Sequence, residues 1–370
     1  MKKIVVLENN FFASVTIRSA LMHALTQNGY DVYILSHGKE ANAEQLKSIN
    51  ATCIEIGTSN TNPLQVLKYL NALRKNLKEI EPFACLTFTP RQNIYGNIVC
   101  KLLRIPTLSN ITGTGVPFHM KGVIYRVGKL LYRAVLKYPQ TVFFQNNDDL
   151  QYLVSRGYAR ASQAVLIPGS GVDTEKFSPR LKDPHDKFVF LFVGRLVKIK
   201  GITELVAAAK NILKDNPNCE FLIVGPFSTQ NTAKLTVGKD ELNSWRQPGI
   251  TFAGESRDVR DFIAQCDCVV LPSYREGLSN ALLEAASMEK AIVTTNVTGC
   301  RDVVVDGLNG ILCEPENAAS LEVALRRMLA LDDAERNEMG RQGRMKVKKE
   351  YEKSIVINEY IERINAIRFP

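Results

Sequence analysis

Glu276 and Glu284 stand eight residues apart in the run Ser273-Tyr274-Arg275-Glu276-Gly277-Leu278-Ser279-Asn280-Ala281-Leu282-Leu283-Glu284. The apolar run before them, Cys268–Leu271, is closed by Pro272 and predicts a short buried strand. The Ala/Leu-rich run after them predicts a helix with Ser279 as its N-cap, the hydroxyl accepting from a free N–H of the first turn. A strand, a glycine-bearing turn and a helix N-terminus together collect anions on backbone N–H groups and the helix dipole. Glu276 lies at the mouth of that turn, and Glu284 five residues into the helix, about 7–8 Å along its axis. Two carboxylates flanking a phosphate pocket suit a ligand with hydroxyls on both sides of a diphosphate. A nucleotide sugar has that layout.

A second group of charges follows an earlier predicted strand, in Gly194-Arg195-Leu196-Val197-Lys198-Ile199-Lys200-Gly201. Arg195 and Lys200, two cations at a strand end near a helix start, suit a diphosphate and its departure. The alternative is a solvated basic loop. No Gly-Lys-Ser/Thr closes this stretch as in a P-loop. Glu8-Asn9-Asn10 follows the first strand where a dinucleotide fold would carry Gly-x-Gly-x-x-Gly. Thr112-Gly113-Thr114-Gly115 can bring backbone close to a ligand or serve only as a flexible turn. Arg91 and His119 are expected in loops at strand ends of the first half, as acceptor-side candidates. No Gly-x-Ser-x-Gly elbow is present, and the eight cysteines have no zinc spacing. They read as reduced core cysteines of a cytosolic protein.

The elements that must position these groups alternate along the chain. Apolar runs at 4–7, 32–36, 53–56, 84–88, 107–109, 142–144 and 165–167 predict strands, with helices expected over 21–29, near 43–48 and over 63–79. From Pro168 to Asp186 a Pro/Gly/Ser-bearing connection interrupts the rhythm. A second alternation then begins at Phe188 and ends in a tail, Ala318 to Ile367, read as helical throughout. Strands alternating with helices imply parallel sheets, whose ligands bind at the strands' carboxyl ends. With 370 residues the chain has room for two such domains.

Charge divides the halves. Residues 1–180 carry 21 Lys/Arg against 11 Asp/Glu, while the remainder carries 26 against 27. Between Glu81 and Asp148 there is no acidic residue. In 121–138, Arg126, Lys129, Arg133 and Lys137 alternate with Val127, Leu130, Leu131 and Val135, the pattern of a helix lying on an anionic membrane. A packed helix with a basic outer face is the rival reading. No nucleic-acid motif is present. No apolar run reaches the roughly 20 residues of a membrane span, and the first strand is too short for a signal peptide.

Glu-Gly-Leu-Ser-Asn-Ala-Leu-Leu-Glu-Ala from Glu276 resembles the E-x7-E motif of the family 4 retaining glycosyltransferases. Gly194-Arg195-Leu196 with Lys200-Gly201 resembles their diphosphate-binding pair, and Pro168–Asp173 with Phe177 their inter-domain signature. Gly299-Cys300-Arg301-Asp302-Val303-Val304 with Gly307 and Gly310 is similar to their G-x-x-E-V-V segment, with Asp302 in place of Glu. Asn93–Gly96 and Thr112–Gly115 more narrowly resemble bacterial enzymes that extend undecaprenyl-diphosphate sugars, among them the α-1,3-N-acetylgalactosaminyltransferase of protein N-glycosylation. The resemblance covers nearly the whole chain.

It implies a GT-B fold of class α/β, two Rossmann-like domains facing each other across a cleft. The domains are expected at 1–180 (acceptor) and 181–350 (nucleotide sugar), with a helix over 351–370 crossing back to the first. By position, Glu276 binds donor-sugar hydroxyls, Glu284 the ribose, and Arg195 and Lys200 the diphosphate. The N–H groups of Gly277, Leu278 and Ser279 assist, and Gly194 and Gly225 lie at the donor. The glycine pair common after the first strand is absent, and so is a clear counterpart of the family's first-domain histidine.

The expected activity is metal-independent transfer of a hexose or N-acetylhexosamine, GalNAc favoured, from a UDP-sugar to an undecaprenyl-diphosphate-linked acceptor. The protein is expected in the cytoplasm, attached peripherally to the inner face of the membrane. The rivals are a soluble GT-B transferase or nucleotide-sugar epimerase with small-molecule substrates, and a nucleotide-sugar-binding protein without turnover.

Overall fold

A computed structural model describes residues 1–36, 49–57, 62–113, 123–227 and 236–368. The helix expected near 43–48 lies outside them. The chain forms two compact units, one of residues 1–170 with 354–370 and one of residues 171–353. The second unit therefore begins at Gly171, ten residues before the expected boundary. The cause is a short parallel bridge: Val172 N–H donates to Tyr351 O at 2.9 Å and Lys353 N–H to Val172 O at 3.0 Å. These bonds hold the connecting segment to the far end of its own unit.

In the first unit, strands β1 (Lys2–Leu7), β2 (Tyr30–Ser36), β3 (Thr52–Glu55), β4 (Ala84–Phe88), β5 (Thr107–Ile111), β6 (Thr141–Phe144) and β7 (Ala164–Leu166) make one parallel sheet of order β3-β2-β1-β4-β5-β6-β7. Ile4 and Val6 enter the core on one face and Val5 and Leu7 that on the other. Such burial on both faces is why a parallel strand reads as a continuous apolar run. Residues from Ser354 onward belong to this unit: Val356, Tyr360 and Ile364 pack with Ile4, Phe88 and Phe143. The Tyr360 ring lies 4.3 Å from that of Phe143.

The second sheet contains β8 (Phe188–Val193), β9 (Cys219–Val224), β10 (Ile250–Gly254), β11 (Cys268–Leu271), β12 (Ala291–Thr295) and β13 (Ile311–Cys313), in the order β10-β9-β8-β11-β12-β13. The order turns from descending to ascending between β8 and β11, the switch point where open α/β sheets bind ligands. The tail is three helices rather than one: Ala318–Ala330, Asp333–Glu350 and Lys353–Asn365. The first break is built by Asp332, which accepts from Glu335 N while Glu335 accepts from Asp332 N, a reciprocal cap.

One further reading changes. Arg91, expected in a loop, lies with Asn93–Gly96 on the helix Thr89–Leu103. Pro90 suits its first turn, and its polar residues are buried because the sheet supplies partners. Thr87 Oγ1 donates to Asn93 Oδ1 at 2.7 Å, and Asn97 Nδ2 donates to Ser109 Oγ at 2.9 Å. All eight cysteines are free thiols and seven are buried.

Candidate active site

The carboxyl ends of β8, β9, β11 and β12 carry the groups singled out in the second half. After β8, Gly194 N–H donates to Val224 O at 3.0 Å, holding the start of the cationic loop against the end of β9. Gly225 allows this approach: at φ +153°, a Cβ built on it would lie 1.9 Å from Gly194 O. Gly225 thus has a packing role that its sequence context does not reveal. Arg195 is exposed and has no ion-pair partner among the described residues.

Lys200 is set differently. It closes a short 3-10 turn, Lys198–Lys200, before Gly201 at φ +71°, where an added Cβ would meet Pro272 O at 2.0 Å. Ile199 O accepts from both Tyr274 N at 2.9 Å and Ser273 Oγ at 3.1 Å. Tyr274 Oη donates to Glu204 Oε1, on the first turn of helix Ile202–Asp215, at 2.8 Å. The loop after β8 is stitched to the turn after β11, and Lys200 Nζ donates to Glu276 Oε1. Their side chains are 18% and 12% exposed.

Glu276 is fixed from the other side as well. Its N–H donates to Thr298 O at 3.2 Å, and Thr295 Oγ1 donates to Ser273 O. Gly299, at φ +78°, packs so closely that a Cβ there would lie 2.7 Å from Glu276 Cβ. Asp302, the shorter acid in the segment after β12, reaches the Gly299 N–H at 2.8 Å.

Ser279 caps helix Asn280–Ser287, accepting from Leu282 N at 3.4 Å. Its own N–H, expected to assist a diphosphate, is instead engaged by Gly299 O at 3.2 Å. Leu278 is buried in the core of the unit. Of the three N–H groups expected to meet a diphosphate, that of Ser279 is therefore already engaged.

Glu284 is half-buried on the same helix. Burial raises its carboxyl to about 7 despite the nearby Lys353 and Lys176, with Asp258 adding to the rise. If this group receives ribose hydroxyls, its ionised form does so best, with both oxygens accepting. A UDP-sugar, whose diphosphate diester does not titrate here, should bind roughly five- to tenfold more tightly at pH 8 than at pH 6, releasing a proton near neutrality. Calorimetry in two buffers of different ionisation enthalpy measures that proton, and Glu284→Gln should abolish the pH dependence. The sign for the empty protein is opposite. A carboxyl raised in the folded state contributes stability below its unfolded value and loses it as pH rises through 7.

In the first unit, Arg91 is half-buried at the start of its helix, and Gly113 follows β5 at φ +122°. Gly115 and His119 lie outside the described residues. The helix Val123–Val135 buries Tyr132 and Val135 and exposes Val127 (49%), Leu130 (67%) and Leu131 (42%). Arg126, Arg133 and Lys137 are exposed beside them, whereas Lys129 is half-buried. No described helix is long and apolar enough to cross a membrane.

Sequence reasoning missed a buried charge pair at the end of β1. Arg18 Nη1 lies 2.8 Å from Glu8 Oε2, with its guanidinium 4.1 Å above the Phe88 ring. Burial pushes the Glu8 carboxyl up, against the pull of Arg18. Beside it, Gln92 Nε2 donates to Glu8 O at 3.3 Å, and Asn93 Nδ2 to Asn110 O at 2.9 Å. An acid directly after the apolar run Ile4–Leu7 was the available signal.

Comparison with known proteins matches residues 3–146 to the domain described as "Glycosyl transferase 4-like" and residues 173–346 to "Glycosyl transferases group 1". The chain is 24% identical over 337 residues to the N,N'-diacetylbacillosaminyl-diphospho-undecaprenol alpha-1,3-N-acetylgalactosaminyltransferase of Campylobacter jejuni, covering 84% of this chain and 85% of that one. It is 27% identical over 313 residues to the UDP-Gal:alpha-D-GlcNAc-diphosphoundecaprenol alpha-1,3-galactosyltransferase of Escherichia coli, covering 81% and 79%. Among solved structures, Anabaena Alr3699/HepE in complex with UDP-glucose superposes with a TM-score of 0.82 at 16% identity, over 99% of this chain and all of the other. The fold is GT-B.

Proposed function

This chain belongs to the bacterial family 4 glycosyltransferases, and on that premise we propose that it moves a hexose or N-acetylhexosamine, GalNAc first, from a UDP-sugar to an undecaprenyl-diphosphate-linked sugar. The observation that carries the reading is the convergence of Glu276, Lys200 and Arg195 on one end of the second sheet, with Glu284 on the adjoining helix. The Campylobacter relative, named for GalNAc transfer to a lipid diphosphate, supports both the sugar and the acceptor. The Anabaena structure, bound to UDP-glucose, supports the nucleotide.

In this reading Glu276 receives donor-sugar hydroxyls and Glu284 the ribose, while Arg195 and Lys200 hold the diphosphate. Transfer is a front-face displacement with retention. The anomeric C–O bond breaks as UDP leaves toward the two cations. The acceptor hydroxyl bonds to the same face of that carbon, its proton passing to the departing diphosphate oxygen. Positive charge placed where negative charge develops is the main catalytic device, and the protein supplies it from side chains. Activity should stay within about twofold in excess EDTA, since two fixed cations can take the electrostatic part a metal plays elsewhere. Loss restored only by Mg²⁺ or Mn²⁺ would refute this.

The deciding experiment is a UDP-release screen of nucleotide sugars against a set of undecaprenyl-diphosphate-linked acceptors. UDP-GalNAc should turn over fastest and only with a lipid-linked sugar present. Turnover confined to water-soluble acceptors would favour the small-molecule transferase or epimerase.

The acceptor's lipid also places the protein at the cytoplasmic face of the membrane, bound peripherally by the helix Val123–Val135. The exposed Val127, Leu130 and Leu131 among cations fit that surface. Reversing Lys129, Arg133 and Lys137 to Glu should lower partitioning onto anionic vesicles by about a hundredfold or more, at roughly 1 kcal/mol per charge lost. Flotation with unchanged binding would count against attachment through this helix.

A further inference from the structure

We infer that the Lys200–Glu276 ion pair is a latch of the empty donor site, opened by an intact nucleotide sugar and not by UDP alone. The inference rests on the donor assignments above and adds to them an order of events.

The two cations of the site are unequal. Arg195 is exposed and has no ion-pair partner among the described residues. Lys200 is committed to Glu276, with both side chains less than one-fifth exposed. Neither partner can drift away by a loose backbone. Ile199 O is held by Ser273 and Tyr274, and Tyr274 in turn by Glu204. Gly201 is pressed under Pro272 O, and Gly299 against Glu276. Only the side chains are free to exchange partners.

A diphosphate arriving without a sugar meets Arg195 first. To gain Lys200 as well, it must leave the Glu276 carboxylate unpaired in a mostly desolvated place and next to another anion. An unpaired charge of that kind is costly. A donor sugar changes the balance, because its hydroxyls donate to Glu276 and replace the ammonium. Lys200 is then free to turn to the diphosphate. Once the sugar has moved to the acceptor, Glu276 takes Lys200 back, and the hold on UDP weakens. The same pair thus selects the whole donor over its product and assists product release.

The test is UDP affinity at pH 8, by calorimetry, for four forms: unmodified, Glu276→Gln, Lys200→Ala and the double variant. Removing the carboxylate charge releases Lys200, so Glu276→Gln should bind UDP about tenfold more tightly, within the range of couplings between contacting residues. Lys200→Ala alone leaves the Glu276 carboxylate facing the diphosphate and should weaken UDP binding, whereas in the Glu276→Gln background it should remove the whole gain. Thermal melting checks that each form is folded. If Glu276→Gln does not fold, Glu276→Ala, which removes the same charge, takes its place in the cycle. Glu276→Gln binding UDP no more tightly overturns the latch, and so does a gain that survives Lys200→Ala in that background, since the lysine would then not be its source. UDP binding by none of the four would remove the donor-site reading itself, and the latch with it.

Discussion

Glu276→Gln is expected to lower sugar transfer about a thousandfold while leaving the fold intact, an effect of the size seen when one group of a preorganised electrostatic site is lost. The amide keeps the size of the carboxylate, so the turn between β11 and helix Asn280–Ser287 loses no packing. Its anchors, Glu276 N–H to Thr298 O and Ser279 N–H to Gly299 O, are backbone bonds and survive the change. On the proposed role, what disappears is a full negative charge facing the sugar hydroxyls as the anomeric carbon becomes electron-deficient. Steady-state UDP release with and without acceptor measures the loss. Turnover within tenfold of the unmodified enzyme would overturn the role given to Glu276. Tighter UDP binding by this slow variant is the companion expectation, and a merely structural role would not produce it.

Arg195→Ala combined with Lys200→Ala is expected to cost more, about ten-thousandfold in kcat/KM, because it leaves the departing diphosphate without either fixed cation. The single changes should divide unequally. Arg195 has no ion-pair partner among the described residues and, on the proposed reading, meets the diphosphate on arrival, so its loss should fall mainly on KM. On the proposed latch, Lys200 reaches the diphosphate only after Glu276 has taken sugar hydroxyls, so its loss should fall mainly on kcat. The two singles need not sum to the double, since both groups serve one leaving group. Arg195→Lys, which keeps the charge and loses the fork, should recover part of the KM loss. Rates as a function of UDP-sugar concentration separate these outcomes. Equal loss of kcat in both singles would refute the division of labour.

The elements around these residues were legible in the sequence where neighbours in the chain determine them. Cys268–Leu271, Pro272, Ser279 and the Ala/Leu run after it form a strand, a turn and a capped helix within twenty residues. The helix Thr89–Leu103 was not legible. Gln92, Asn93 and Asn97 look like loop residues until Thr87, Tyr69 and Ser109 arrive from other elements to satisfy them. Buried polar groups need partners, and these partners lie 6 to 23 positions away. The break at Leu331–Asp332 was visible as a capping pattern, Asp332 with Glu335, but lay hidden inside a long helix-forming composition.

By itself, then, the sequence determined two parallel α/β alternations, a set of charged residues whose types suit a nucleotide sugar, and the concentration of basic charge in the first half. Each follows from local periodicity, local spacing or simple summation. The tertiary structure alone decided that Lys200 meets Glu276 across 76 residues, that Ser279 N–H is already engaged, and that Gly225 and Gly299 serve close packing. It also decided that burial raises Glu284 to about 7. Desolvation and pairing depend on which distant segments the sheet order brings together, and no spacing along the chain encodes that.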